Sequence, residues 1–166
     1  MSPSVLSLLQ GATLCYALLG GVFLAFSDFI MRSLARTAGA GGVDAMQSIN
    51  REVYRWLFMG LFLGMAAISV WMIGYAMVRL DGSVSWLVMS SGLIYVLGCF
   101  GVTVRFNVPM NEALAQMDLA AEQTRAYWTG TYLPRWTFWN TVRAAACIVS
   151  AAILLFGLPA GGTTTG

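Results

Sequence analysis

The 166-residue chain contains no histidine and no lysine. Without histidine it lacks the commonest metal ligand and the commonest general base. Its nine basic side chains are all arginine. Charged residues make up only 10% of the chain, against about 25% in soluble domains. Chemistry must therefore come from arginine, carboxylates, amides, tyrosine, tryptophan and sulfur. A carboxylate-bridged di-iron site in a helical bundle needs Glu-x-x-His pairs, so that class is excluded. Cys15, Cys99 and Cys147 are far apart and form no CxxC motif, so neither zinc nor a redox dithiol is indicated, and they read as small buried apolar residues. No basic patch supports a nucleic-acid role.

What the chain does have is apolar length. It is 58% hydrophobic, and a bilayer core about 30 Å thick takes roughly 20 helical residues to cross. Four segments qualify: Val5–Ile30, Tyr54–Val78, Val84–Val104 and Phe138–Leu158. The fold class expected is all-α, a four-transmembrane-helix bundle with amphipathic cytoplasmic helical extensions. Residues 1–158 form a single membrane domain and residues 159–166 a short disordered tail. The first segment lacks a basic n-region and is too long for a signal-peptide core, so it reads as a retained helix. Arg32, Arg36, Arg51 and Arg55 lie in or beside the first connection, and Arg105, Arg125 and Arg135 around the third, whereas the second carries only Arg79. The positive-inside bias places connections one and three in the cytoplasm and both termini outside. Arginine usage and alanine/glycine richness point to a GC-rich bacterial genome, hence the bacterial cytoplasmic (inner) membrane.

Local signals refine the spans. Asp44 with Gln47 three residues on reads as an N-cap, followed by Met46, Ile49, Val53 and Leu57 at helical spacing. That helix is expected to run straight into span two. Gly60 and Gly64 form a GxxxG pair, a candidate close-packing face. Pro109 fits the first turn of a second cytoplasmic helix that runs to about Tyr127 and is broken at Thr129-Gly130.

The sharpest candidate is Arg143, one or two turns inside span four, where a charge is costly and marks a function or a specific ion pair. Trp136, Asn140, Arg143 and Cys147 share one helix face. Two readings stand for Arg143: a structural arginine paired to Asp28 or Glu112 or snorkelling to the interface, or a site residue. Asn107 and Asn111 beside Glu112 are either helix caps or a hydrogen-bonding rim around a ligand. Gln47, Asn50 and Arg51 form either a solvated face or part of that rim. Asp28 is either an interfacial partner of Arg32 or an acid of the site. All lie at the cytoplasmic end, so a site would sit in the inner leaflet. Asp118 and Glu122, four residues apart, face solvent. No metal site is expected and no cofactor is indicated, although methionine, cysteine or tyrosine could in principle ligate haem.

Four blocks carry a resemblance: Phe26-Ser-Asp-Phe-Ile-Met31, Ala45-Met-Gln-Ser-Ile-Asn-Arg51, Asn107-Val-Pro-Met-Asn-Glu112 and Trp136-Thr-Phe-Trp-Asn-Thr-Val-Arg143. In order and spacing they resemble the DUF1772, or anthrone-oxygenase-like, membrane proteins over nearly the whole chain. The family often has proline after the methionine where this chain has Arg32, a difference at the end of span one. The resemblance implies a four-helix membrane protein and an enzyme, a cofactor-independent oxygenase of an anthrone-like or other lipophilic aromatic molecule. On that reading Glu112 or Asp28 is the base, and Arg143 and Asn140 hold the oxyanion. Asn107 and Asn111 orient hydroxyls, and Trp136 and Trp139 stack on the rings, with Asn50 and Gln47 lining the pocket. The alternative is a non-enzymatic lipid- or quinone-binding or scaffolding protein. Partners are the lipid bilayer and a lipophilic small molecule, and a homo-oligomer stays open.

Overall fold

A computed structural model describes residues 1–55 and 57–158. Four helices are long and apolar enough to cross a membrane: α1 (Pro3–Ala35), α3 (Leu57–Arg79), α4 (Gly82–Ala115) and α5 (Glu122–Gly157). A shorter amphipathic helix, α2 (Gly41–Glu52), lies between α1 and α3. The long helices form an up-down-up-down ring in which α1 packs against α5 and α3, and α4 against α3 and α5. No strand is present among the described residues. The expected tail, 159–166, lies outside the described residues.

The ring has two cores. One runs along its length and includes Leu9, Tyr16, Leu19, Phe23, Met65, Met72, Tyr95, Cys99, Cys147 and Leu154. The other, at the arginine-rich end, gathers Met31, Val43, Met46, Leu114, Trp128, Tyr132 and Trp136 beneath α2. Outward, Leu14, Leu18, Leu63, Val70, Met77, Leu97 and Phe156 are exposed. Such a surface, on helices that bond most of their backbone groups internally, suits lipid rather than water.

The helices depart from the sequence expectations in instructive ways. α2 does not run into span two: it ends at Glu52, and the chain turns through Val53–Arg55 before α3 begins. Asp44 sits in the first turn of α2, while Ala40 occupies the cap position. Helix α4 passes through Pro109 without interruption to Ala115, and α5 passes through Gly130 into span four. A proline removes one N–H and crowds the carbonyl four residues back. Here a widened π turn precedes each of the two mid-helix prolines: Thr103–Asn107 before Pro109, with Val108 N–H reaching Thr103 O, and Trp128–Tyr132 before Pro134, with Leu133 N–H reaching Trp128 O. The extra residue in the turn absorbs the clash that would otherwise break the helix.

Gly60 and Gly64 face open space, with nothing within 4 Å of where a Cβ would stand, so this GxxxG pair packs against no helix among the described residues. Close approach occurs instead at Gly92, whose Cβ would lie 2.8 Å from the Ser69 carbonyl, and at Gly98, 2.8 Å from the Ala146 Cβ. These two glycines let α4 sit against α3 and α5 at backbone distance.

Candidate functional site

Helical spacing puts Trp136, Asn140, Arg143 and Cys147 on the inner face of α5, and all four are buried. The Arg143 side chain is held on three sides. Its Nη2 donates to Asn140 Oδ1 at 2.6 Å and its Nη1 to Thr103 Oγ1 at 3.3 Å. Its guanidinium lies over the Phe23 ring at 4.4 Å and the Trp136 ring at 5.3 Å. Cation–π contacts of this kind are worth about 0.5–2 kcal/mol. The third nitrogen, Nε, is buried without a partner.

No carboxylate among the described residues pairs with this charge. Among the described residues the ion pairs are Arg32–Asp28, at 3.0 Å, and Arg55–Glu52, at 3.4 Å. Of the two readings of Arg143, the structural one in which it pairs with Asp28 or Glu112 is therefore corrected. Asp28 points outward, 67% exposed and bonded to Arg32, because its neighbour Ser27 takes the inward position opposite Asn140. Glu112 is exposed for the same reason: Asn111, one residue earlier, is the one that turns in.

Asn140 is fully committed. Its amide donates to Phe23 O at 2.6 Å and Ser27 Oγ at 2.7 Å, while its oxygen accepts from Arg143. It has no donor left for an oxyanion, so it positions Arg143 and ties α5 to α1 next to the π turn Phe26–Ile30. Asn111 Oδ1 accepts from Tyr132 OH at 2.7 Å and Trp136 Nε1 at 2.8 Å. Asn50 Nδ2 donates to the same Tyr132 hydroxyl at 3.2 Å, linking α2 to α5. The Trp128, Tyr132 and Trp136 rings stack one turn apart along α5.

Three further candidates are placed away from the ligand space. Gln47 donates to the Leu114 and Met117 carbonyls at 2.8 and 3.1 Å, closing the C-terminal end of α4. Asn107 donates to Trp136 O at 3.3 Å, leaving its own buried Oδ1 without a partner. Trp139 turns to the other flank of α5, flat against Phe106 with ring centres 3.7 Å apart.

What the remaining groups line is an open-sided cavity of about 370 Å³ between α1, α2, the start of α3, the end of α4 and α5. Its volume is that of an ordinary small-molecule pocket. Arg143, Asn140, Asn111, Asn50 and Trp136 line it, with Phe23, Phe26 and Phe58 as aromatic walls and Glu52 as an acidic group. Phe23 and Phe58 meet edge to face at 5.7 Å. A second cavity, of about 400 Å³, lies between residues 39–43 and 119–128 and does not include Arg143.

Sequence reasoning missed Phe23, Phe26, Thr103, Tyr132 and Glu52. Tyr132 was signalled by the continuation of the α5 face one turn before Trp136, but Thr129-Gly130 read as a break. Glu52 had no signal, because it is two residues from Asn50 and thus on another side of α2. It comes to the cavity only because the helix ends there. Among the described residues no three His, Cys, Asp or Glu side chains gather where they could hold a metal ion.

The sequence pattern of the anthrone oxygenase family matches residues 51–153, more than half of the chain. The chain belongs to the anthrone oxygenase family. Its four apolar helices make it a multi-pass membrane protein of that family. The match takes in Glu52, Asn111, Trp136, Asn140 and Arg143, while the first-helix wall of the cavity, Phe23 and Phe26, lies before it. Comparison with curated proteins and with solved structures gives no match.

Proposed function

We propose that the protein is an oxygenase that uses O₂, without a bound cofactor, to oxidise an anthrone-like or other lipophilic aromatic ketone. The carrying observation is Arg143: a buried cation with no carboxylate partner, one unsatisfied N–H, and a place on the wall of an aromatic-lined cavity. A buried charge left like this is expensive, and an anion formed within the cavity would offset it.

An anthrone carries a ketone across its central ring from an acidic methylene. Loss of a methylene proton moves the electron pair onto the ketone oxygen. The resulting anion reduces O₂, and the sum of the steps is anthrone plus O₂ giving anthraquinone plus water. Arg143 would hold the developing oxyanion, and fixed donors aimed at such charge in a dry site are commonly the largest catalytic contribution. Asn140 and Thr103 keep the guanidinium in place. Phe23, Phe26, Phe58 and Trp136 would face the rings. Asn111 and Asn50, each with amide capacity beyond its bond to Tyr132, would take peripheral hydroxyls. The arginine-rich end would face the bacterial cytoplasm, which opens the cavity to the inner leaflet.

The test is anthrone-dependent O₂ uptake by the protein in nanodiscs, compared with protein-free discs and with Arg143→Ala. We expect uptake well above autoxidation, indifferent to chelators, and reduced about 10²–10³-fold in the variant. Uptake equal to autoxidation would reject the reading in favour of a binding protein.

A further inference from the structure

We propose that Glu52 is the proton acceptor of this site, an inference that rests on the function proposed above. Carbanion chemistry needs a base within reach of the methylene, and the chain has seven acidic residues and no histidine. Asp28 and Glu112 face away from the cavity. Asp81 caps the opposite end of α4, Asp44 is exposed on the first turn of α2, and Asp118 lies in the connection between α4 and α5. Glu122 lines the other cavity. Glu52 alone of the seven is among the residues that line the space next to Arg143.

Its position suits the task. Arg143 is buried, whereas the Glu52 side chain is 59% exposed, so the two charges mark the deep end and the wet rim of one cavity. A ketone oxygen at Arg143 turns the across-ring methylene away from it, toward the rim. The last turn of α2 is fixed there by Asn50, which bonds Tyr132 on α5, and Arg55 Nε holds the carboxylate at 3.4 Å. Water at the rim can then carry the proton away.

The step balances simply. A methylene C–H bond breaks and an O–H bond forms on a Glu52 carboxyl oxygen. The C–H electron pair delocalises to the ketone oxygen facing Arg143, and O₂ is the oxidant of the following step.

The experiment compares wild type, Glu52→Gln and Glu52→Ala in nanodiscs, reading anthrone turnover and, separately, anthraquinone binding by quenching of tryptophan fluorescence. We expect kcat to fall roughly 10²–10⁴-fold in both variants, with anthraquinone affinity within about threefold of wild type. Added acetate, reaching the vacated rim, should restore part of the turnover of Glu52→Ala and none of that of Arg143→Ala. Turnover within about threefold of wild type, or a loss that acetate leaves untouched, overturns the role of Glu52 while the oxygenase reading stands. Wild-type uptake no greater than autoxidation overturns both, and is visible before any variant is made.

Discussion

The two ends of this bundle are built on opposite terms. In the half away from the arginine-rich end, polar groups meet in closed pairs. Ser91 and Ser150 each donate to the other's carbonyl, at 3.0 and 2.9 Å. Tyr16 bonds Ser69 at 2.6 Å, and Tyr95 donates to Phe62 O at 2.9 Å. At the arginine-rich end lie the cavity, three of the four π turns and both of the buried side-chain polar atoms that lack a partner among the described residues, Asn107 Oδ1 and Arg143 Nε. Membrane helices gain little from the hydrophobic effect between themselves, so close packing and satisfied polar pairs hold the bundle together. The first half supplies these. The second forgoes some of them around a charge, which is what a site needing a field and a ligand space requires.

Mutations in the two halves should therefore act differently. The largest effect should come from the closed half: Met72→Ala removes a fully buried side chain and should cost about 2–5 kcal/mol of stability by cavity formation. Thermal unfolding in detergent should report the loss, while kcat per folded molecule stays at the wild-type value. A matching loss of kcat would mean that the two halves are not separable.

Arg143→Leu should do the reverse. The substitution removes a buried charge that is costly to desolvate but leaves Asn140 Oδ1 without its donor, a loss of about 1–3 kcal/mol, so the two effects offset and the melting temperature should change little. Turnover should fall about 10²–10³-fold, or roughly 2.7–4 kcal/mol of transition-state stabilisation. A collapse of the melting temperature would make Arg143 a structural residue and remove the contrast at its centre.

Asn111→Ala probes the border between the two kinds of region. It strips the acceptor from both Tyr132 OH and Trp136 Nε1, and an unsatisfied buried donor costs about 1–3 kcal/mol. Both stability and substrate affinity should drop. A change in affinity alone would mean that water replaces the amide for Tyr132 and Trp136.

How much of this was legible in the sequence follows from the physics of each element. Four spans follow from hydropathy and bilayer thickness. The buried face of α5 follows from 3.6-residue periodicity, which held from Trp136 to Cys147 because no π turn interrupts it. Periodicity fails at a π turn, since one extra residue shifts every later side chain by about 100°. That is why Pro109 and Gly130 read as helix boundaries when they lie within helices. It also fails past a helix end, which hid Glu52. Composition marked Asn107 and Gln47 as polar, but could not say that backbone carbonyls would occupy them. Gly60 and Gly64 form a motif with no partner helix among the described residues.

The smallest effect should be at Asp28. It sits in the same segment as the cavity wall, five residues after Phe23, and sequence alone made it a candidate acid. Yet its carboxylate faces outward and bonds Arg32 one turn on, with both side chains 67% exposed. Exposed pairs four residues apart on a helix contribute about 0.3–0.5 kcal/mol. Asp28→Asn should therefore shift the melting temperature barely at all and leave turnover within about twofold, an effect of the size expected for a surface ion pair. Steady-state O₂ uptake at saturating substrate is the readout. The result matters because of its pairing with Glu52→Gln. Both variants remove one negative charge from the arginine-rich end, so a general electrostatic role would make them alike. If only Glu52 matters, the cavity wall rather than the charge of the surface decides. A large loss at Asp28 with none at Glu52 would move the chemistry out of the cavity altogether.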